Sequence, residues 1–257
     1  MNARERRDFI AQKILEHGRV QVSDLVREFD LTDTSIRNDL TILEEMGLLR
    51  RVHGGAVSTA RSIQLAAYNT RMEHNREQKV RIASAAADRM QAVDIVLLDS
   101  GTTVQYLARQ IPIKVQRSGR LRIVTNSVPI LEEIGGWAPH NLVMLGGIFL
   151  PEHRATVGPE TLRGLEGINA TTVFLGCDGL TVDSGITTSH PLIAEVGRRM
   201  AERAKQVVVL ADSSKLERAG FVPIIPIERI DLFITDNEAP PAVIGQLRAR
   251  HVDVLLV

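Results

Sequence analysis

"VLLDSGTTVQYLAR", residues 96–109, sets an apolar run directly against an acid, a glycine and three hydroxyl side chains. A short apolar run, a polar glycine-bearing break and a helical stretch read as buried strand, loop and helix. The same texture repeats outward from it. Strands are expected at "IVLLD" 95–99, "LRIVTN" 121–126, "LVMLGG" 142–147, "TVFLG" 172–176, "QVVVLAD" 206–212, "LFIT" 232–235 and "VDVLLV" 252–257. Helical stretches fall between them at about 103–110, 127–134, 159–166, 190–204 and 240–249. Buried strands alternating with helices make a mostly parallel α/β sheet covered on both faces.

Ligands bind such sheets beyond the carboxyl ends of the strands. Those ends carry Asp99-Ser100-Gly101-Thr102-Thr103, Thr125-Asn126-Ser127, Gly146-Gly147, Gly176-Cys177-Asp178-Gly179, Asp212-Ser213-Ser214-Lys215 and Thr235-Asp236. In "DSGTT", Gly101 is expected to allow a tight turn that aims the N–H groups of 101–103 outward. With the hydroxyls of Ser100, Thr102 and Thr103, this helix start suits an anion. Lys215 adds the positive charge that a phosphate dianion favours. Asp99 and Asp178 are acceptors for sugar hydroxyls, and Thr125, Asn126, Thr187 and Thr188 complete the polar edge. Ordinary helix capping is the competing reading of "DSGTT" alone. The convergence of several such loops on one edge favours a ligand.

The chain begins differently. Ile10 and Ile14 give an amphipathic helix that Gly18 ends, and "VQV" 20–22 is a short extended piece. Ser23 is expected to cap a second helix with Leu25, Val26 and Phe29 inward. Thr32 caps a third beginning at Asp33, in which Ile36, Leu40 and Leu43 form one stripe before Gly47 stops it. Two capped helices joined by a tight turn make a helix-turn-helix, whose second helix enters the major groove. Thr34, Ser35, Arg37, Asn38 and Thr41 then face outward; arginine pairs with guanine and asparagine with adenine. "LLRRVHGGAV" reads as two strands turning at Gly54–Gly55, a wing that offers Arg50, Arg51 and His53 to phosphates. Residues 1–57 form this winged helix-turn-helix and 58–257 the remainder, opening on the small polar stretch "STARSI" 58–63.

The 257 residues hold 31 basic and 31 acidic side chains, so composition alone does not suggest nucleic acid. Residues 1–57 are no more basic, with nine basic and ten acidic residues. Position is what counts: Arg4, Arg6 and Arg7 cluster before the first helix, and Arg37, Arg50, Arg51 and His53 around the third helix and wing. No apolar run approaches the ~20 residues of a membrane span, and one cysteine permits no internal disulfide, so a cytoplasmic setting is expected. Seven scattered histidines lack metal-ligand spacing, and neither metal nor cofactor is expected.

"VQVSDLVREFDLTDTSIRNDLTILEEMGLLRRVHGGAV", residues 20–57, resembles the N-terminal domain of the DeoR family of bacterial transcription regulators. That family's recognition stretch usually reads Thr-Ile-Arg-Arg-Asp-Leu. Ser35 replaces its threonine and Asn38 its second arginine, at the reading end of the helix where operator preference is set. "LDSGTT", "IVTNS", "LGG", "FLGCDGL", "GITTSHPLIAEVGRRM", "VVLADSSK" and "ITD" resemble the family's sugar-phosphate sensor domain, which is related to ribose-5-phosphate isomerases. The resemblance implies a regulator, as a rule a repressor, that binds double-stranded operator DNA as a homodimer or homotetramer and is released by a phosphorylated sugar.

The rival from another class is a phosphosugar isomerase carrying a DNA-binding domain. Asp178 and Glu195 could serve as acid or base. The related isomerases, however, carry a lysine and a glycine run where this chain has Gly185–His190, and a threonine hydroxyl does not replace a lysine's charge. Binding without turnover is the expectation, with Glu195 kept among the effector contacts. Cys177 reads as a buried structural thiol, Trp137 as a packing residue, and His190 as either a ligand contact or a helix cap. Gln64–Met90 reads as helical, and Arg71, Asn75 and Lys79, four apart, as a solvated row.

Overall fold

In the computed structural model, which describes residues 2–91, 94–136 and 141–257, α1 (Ala3–His17) starts on a capping box. Asn2 accepts from the N–H groups of Arg4 and Glu5, while the Glu5 carboxylate accepts from the Asn2 N–H. Arg6 and Arg7 therefore lie inside α1 and not ahead of it. Gly18 ends the helix at φ 75°, a conformation that glycine alone adopts without strain.

β1 (Arg19–Gln21) leads directly into α2 (Val22–Phe29). The expected Ser23 cap is absent: Ser23 is already helical, and Gln21 at the cap position makes no side-chain bond. Burial sets this start, because Val20, Val22 and Leu25 all enter the core. α3 (Asp33–Glu45) begins on Thr32, whose hydroxyl accepts from the Ser35 N–H at 3.3 Å. β2 (Leu49–Val52) and β3 (Gly55–Ser58) form the wing, and β1 pairs antiparallel with β3, giving the order β1-β3-β2. Ile10, Ile14, Leu25, Ile36, Leu40 and Leu43 fill the core beneath.

The helical stretch after the wing is two helices, α4 (Ala60–Glu73) and α5 (Arg76–Ala87), broken where Asn75 takes φ 52°. The chain divides by contacts into Met1–Arg71 and Met72–Val257, while the wing itself ends at Ser58. The row Arg71, Asn75, Lys79 is not a solvated face: Lys79 is 3% exposed.

The second unit continues with β4 (Ile95–Leu98), α6 (Thr102–Gln110), α7 (Ile113–Gln116), β5 (Arg122–Thr125), α8 (Val128–Ile134) and β6 (Leu142–Met144). β7 (Ile148–Leu150), β8 (Ala155–Val157), α9 (Pro159–Gly164), β9 (Ala170–Leu175), β10 (Gly179–Thr181) and β11 (Gly185–Thr188) follow. The chain closes with α10 (Pro191–Glu202), β12 (Ala204–Leu210), β13 (Val222–Ile225), β14 (Leu232–Thr235), α11 (Pro241–Ala249) and β15 (Asp253–Leu256). Trp137 lies outside the described residues.

All seven expected strands join one sheet in the order β15-β14-β12-β9-β4-β5-β6, every neighbour parallel. Leu97, Val173, Val207 and Val209 pack with Val196 and Met200 of α10 on one face. The alternate residues Val96, Leu98, Phe174 and Val208 are buried as well, so the sheet is covered on both sides. Two small antiparallel pieces, β7-β8 and β10-β11-β13, flank it. Parallel strands all point one way, so the loops after β12, β9, β4 and β5 meet at a single edge.

Candidate functional site

Gly101 caps α6 at φ −67°, a value that any residue adopts, so a demanding turn is not why glycine stands there. Room is the reason. A Cβ on Gly101 would stand 3.2 Å from the Cα of Gly176, bringing the loops after β4 and β9 nearly into backbone contact. Asp99 fixes the same junction, accepting from the Gly176 N–H at 3.3 Å and the Ser100 hydroxyl at 3.4 Å. Burial pushes the Asp99 carboxyl up to about 6, against those hydrogen bonds. Thr102 is half-buried and Thr103 buried in the first turn of α6. That turn is the start of a nine-residue helix, with its dipole and outward N–H groups.

Asp178, three residues along from Leu175, accepts from the Ser189 N–H at 2.8 Å, the Ser189 hydroxyl at 2.9 Å and the Thr188 hydroxyl at 3.0 Å. Burial works against its charge, but these three donors outweigh it and hold the carboxyl below the ordinary range. Lys215 ends a single 3₁₀ turn, Ser213–Lys215, that Asp212 caps. Its charge acts on both Asp212 and Cys177. The loops after β4, β9 and β12 thus share one electrostatic neighbourhood.

Several residues expected at a ligand also hold the protein together. The Thr125 hydroxyl donates to the Leu98 carbonyl at 2.7 Å and accepts from the Ser127 N–H, tying β5 to β4. Thr187 donates to the Gly179 carbonyl and accepts from the Gly220 N–H at 2.6 Å, closing β10 and β11 onto the loop before β13. Thr188 is engaged by Asp178. Asn126 is different: its amide N–H donates to the Thr156 carbonyl, while its buried Oδ1 has no partner among the described residues. Glu195 is exposed in the second turn of α10 and makes no ion pair among the described residues.

His190 caps α10, its Nδ1 accepting from the Leu192 N–H at 3.2 Å, and its ring lies edge-on to His153 at 5.8 Å. Burial, with the nearby Asp178 charge, pushes the Cys177 thiol up to about 12, which disfavours the thiolate that a nucleophile needs. Among the described residues no three His, Cys, Asp or Glu side chains group to hold a metal, and no helix is long and apolar enough to cross a membrane. Sequence reading placed Asp212 at the ligand edge without a role and assigned none to Ser189. Both sit in quoted motifs, but only the fold shows what they hold.

On the first unit, Thr34, Arg37 and Asn38 are exposed along α3. Arg37 pairs with Asp33 at 2.6 Å, both well exposed. The Asn38 side chain makes no hydrogen bond among the described residues. Ser35 is half-buried and its hydroxyl lies 3.0 Å from that of Thr32, so it reinforces the cap. Thr41 donates to the Arg37 carbonyl and accepts from Arg51 at 2.8 Å, while the Arg51 N–H donates to Glu44, fastening the wing to α3. Arg50 and His53 stand exposed beside it. Arg6 and Arg7 are committed elsewhere, at 2.6 and 3.5 Å from the buried Asp39 carboxylate on the inner side of α3.

Comparison with known proteins agrees with this division. Residues 6–62 match the DeoR-like helix-turn-helix domain and residues 74–237 the DeoR C terminal sensor domain. The HTH-type transcriptional regulator GlpR of Haloferax volcanii is 34% identical over 91% of this chain and 89% of its own length. A protein of Escherichia coli O157:H7 named for repression of the aga operon is 32% identical over 98% of this chain and 93% of its own. The HTH-type transcriptional repressor GlcR of Bacillus subtilis is 28% identical over 100% of this chain and 97% of its own. Among solved structures, ribose 5-phosphate isomerase A of Methanocaldococcus jannaschii is 16% identical, with a TM-score of 0.41 over 55% of each chain, too slight a likeness to bear on function. With a helix-turn-helix unit and a sensor unit matched in order along nearly its whole length, this chain belongs to the DeoR family of transcription regulators.

Proposed function

We propose that the chain represses a carbohydrate operon by holding its operator, and lets go when a phosphorylated sugar occupies the loops at the carboxyl edge of the sheet. The observation that carries this reading is the junction of Gly101 with Gly176 beside Lys215. A bare backbone and a helix start lie at the same edge as a cation whose charge reaches Cys177, next to Gly176, and Asp212. The phosphate would lie on the first turn of α6 and Lys215, and Asp99 and Asp178 would take sugar hydroxyls. Turnover is not part of the proposal: Asp178 is tied by three donors, and no lysine stands in residues 179–190. The relatives named for repression, of the aga operon and as GlcR, support the direction of control.

Thermal shift against ribose 5-phosphate, glucose 6-phosphate, fructose 6-phosphate and glucosamine 6-phosphate tests it, with the unphosphorylated sugars as controls. A member present at 100 times its Kd stabilises the sensor unit by about 2.7 kcal/mol, and its unphosphorylated form does nothing. No shift with any sugar phosphate contradicts the assignment.

The DNA face gives a second expectation. The Arg37–Asp33 pair is exposed and contributes at most about 0.5 kcal/mol, so Arg37→Ala leaves stability almost unchanged. It should nonetheless weaken binding to a duplex selected from a random pool by roughly 1–3 kcal/mol and relax preference at one base pair. Arg50→Ala should weaken all duplexes alike and reduce the salt slope by about one. Unchanged affinity in both variants, read by fluorescence anisotropy, removes α3 and the wing from the interface.

A further inference from the structure

Asn75 breaks the helical stretch at φ 52°, and its side-chain N–H donates to Asp212 Oδ1 at 2.7 Å across 137 residues of sequence. Lys79, buried one turn into α5, spans the same break: its ammonium donates to the His74 carbonyl at 2.6 Å. Burial disfavours the charge on Asp212, but the Ser214 hydroxyl, the Asn75 amide and the charges of Lys215 and Lys79 overcome it, and the carboxyl stays below its ordinary range. Asn75 and Lys79, which read in sequence as solvent-facing, therefore lie against the loop after β12.

Asp212 is fully buried, and its two oxygens differ. Oδ1 takes Asn75 and both Ser214 donors. Oδ2 takes none among the described residues. A buried carboxylate oxygen without a donor is costly, and it suits a hydroxyl group that arrives from outside the protein. The turn that Asp212 caps ends in Lys215, the cation assigned to the phosphate. Asn75, in turn, stands four residues past Arg71, where the chain leaves the DNA-binding unit.

We propose that Asp212 accepts a sugar hydroxyl through Oδ2, and that its bond to Asn75 couples occupancy of the loops to DNA affinity. This rests on the effector reading above. A ligand drawing on Lys215 and Oδ2 changes the turn Asp212–Lys215, and the bond to Asn75 passes that change to the joint between α4 and α5. Asn75 is a positioning residue: it touches the acceptor and not the sugar.

Asn75→Gly isolates the bond, because glycine keeps the positive φ without strain and removes only the amide. Lys79→Met, which keeps the stem and removes the charge, is the second variant should the first fold poorly. Each full-length protein is titrated with the four sugar phosphates, and its affinity for the selected duplex is measured with and without them. The expected result is sugar-phosphate affinity within about threefold of wild type, with the loss of DNA affinity on addition falling from at least tenfold to under twofold. A merely structural role would lower the unfolding temperature and leave that ratio intact. A wild-type ratio in the variants overturns the inference and leaves the effector reading standing. A wild-type chain whose DNA affinity no sugar phosphate alters overturns both.

Discussion

Asp39→Ala should destabilise the DNA-binding unit by roughly 3 kcal/mol, the largest loss expected from any single change there. Asp39 lies on α3 with its side chain 3% exposed, and it holds Arg6 at 2.6 Å and Arg7 at 3.5 Å on α1. Removing the acid leaves two guanidinium groups, 14% and 26% exposed, without their shared counter-charge. The exposed Arg37–Asp33 pair on the same helix has similar chemistry but is screened by water, so Arg37→Ala is the internal control. Asp39→Asn keeps the shape and should lose less. Because Asp39 ties α1 to the helix that carries Arg37 and Asn38, its loss should also weaken every duplex alike. Calorimetry of the full chain reads the effect as an earlier first transition. A change below about 0.5 kcal/mol, equal to the Arg37 control, contradicts the account.

The sheet was legible in the sequence because a strand buried on both faces is an unbroken apolar run. "IVLL", "VVVL" and "LFIT" have no other economical reading. Helix ends written by a single residue were legible too, as at Gly18 and Thr32. What failed were inferences that depend on a distant partner. Lys79 looked solvated because its spacing from Arg71 and Asn75 is helical, and Asp212, whose charge it meets, comes 133 residues later. Thr125 and Thr187 read as ligand contacts from their type and place, and the sequence could not show that each also donates to a carbonyl, at Leu98 and Gly179. Arg6 and Arg7 looked available to DNA because Asp39 sits between Asn38 and Leu40 in a stretch that reads as a recognition surface. β7, β8 and β10 are three residues each, too short to carry a period.

The second large effect is expected at Gly101. A Cβ there meets backbone at 3.2 Å and not a side chain that can rotate away, so Gly101→Ala pushes the loops after β4 and β9 apart by a few tenths of an ångström. Gly101→Val adds two methyl groups to the same gap and should cost about 1–3 kcal/mol of stability in the sensor unit. Its effect on binding should be larger, because the displaced backbone is the surface assigned to the phosphate. Sugar-phosphate affinity should fall below detection, while affinity for the selected duplex stays within about threefold of wild type. Lys215→Ala, which removes one charge-assisted contact and leaves the backbone alone, should weaken the same ligand by roughly 1.5–3 kcal/mol. Full-strength binding by both variants removes the carboxyl edge as the site.

Both sets of variants bear on one claim, that the sensor loops and the DNA face belong to a single equilibrium. A ligand that lowers DNA affinity must bind the DNA-free form more tightly, and by the same factor DNA must lower the affinity for that ligand. Isothermal titration of the best-binding sugar phosphate into the wild-type chain, alone and saturated with the selected duplex, measures this directly. The expected result is a sugar-phosphate affinity at least tenfold weaker in the complex, matching the factor by which that sugar phosphate weakens DNA binding. Equal affinity for free and DNA-bound protein contradicts the account.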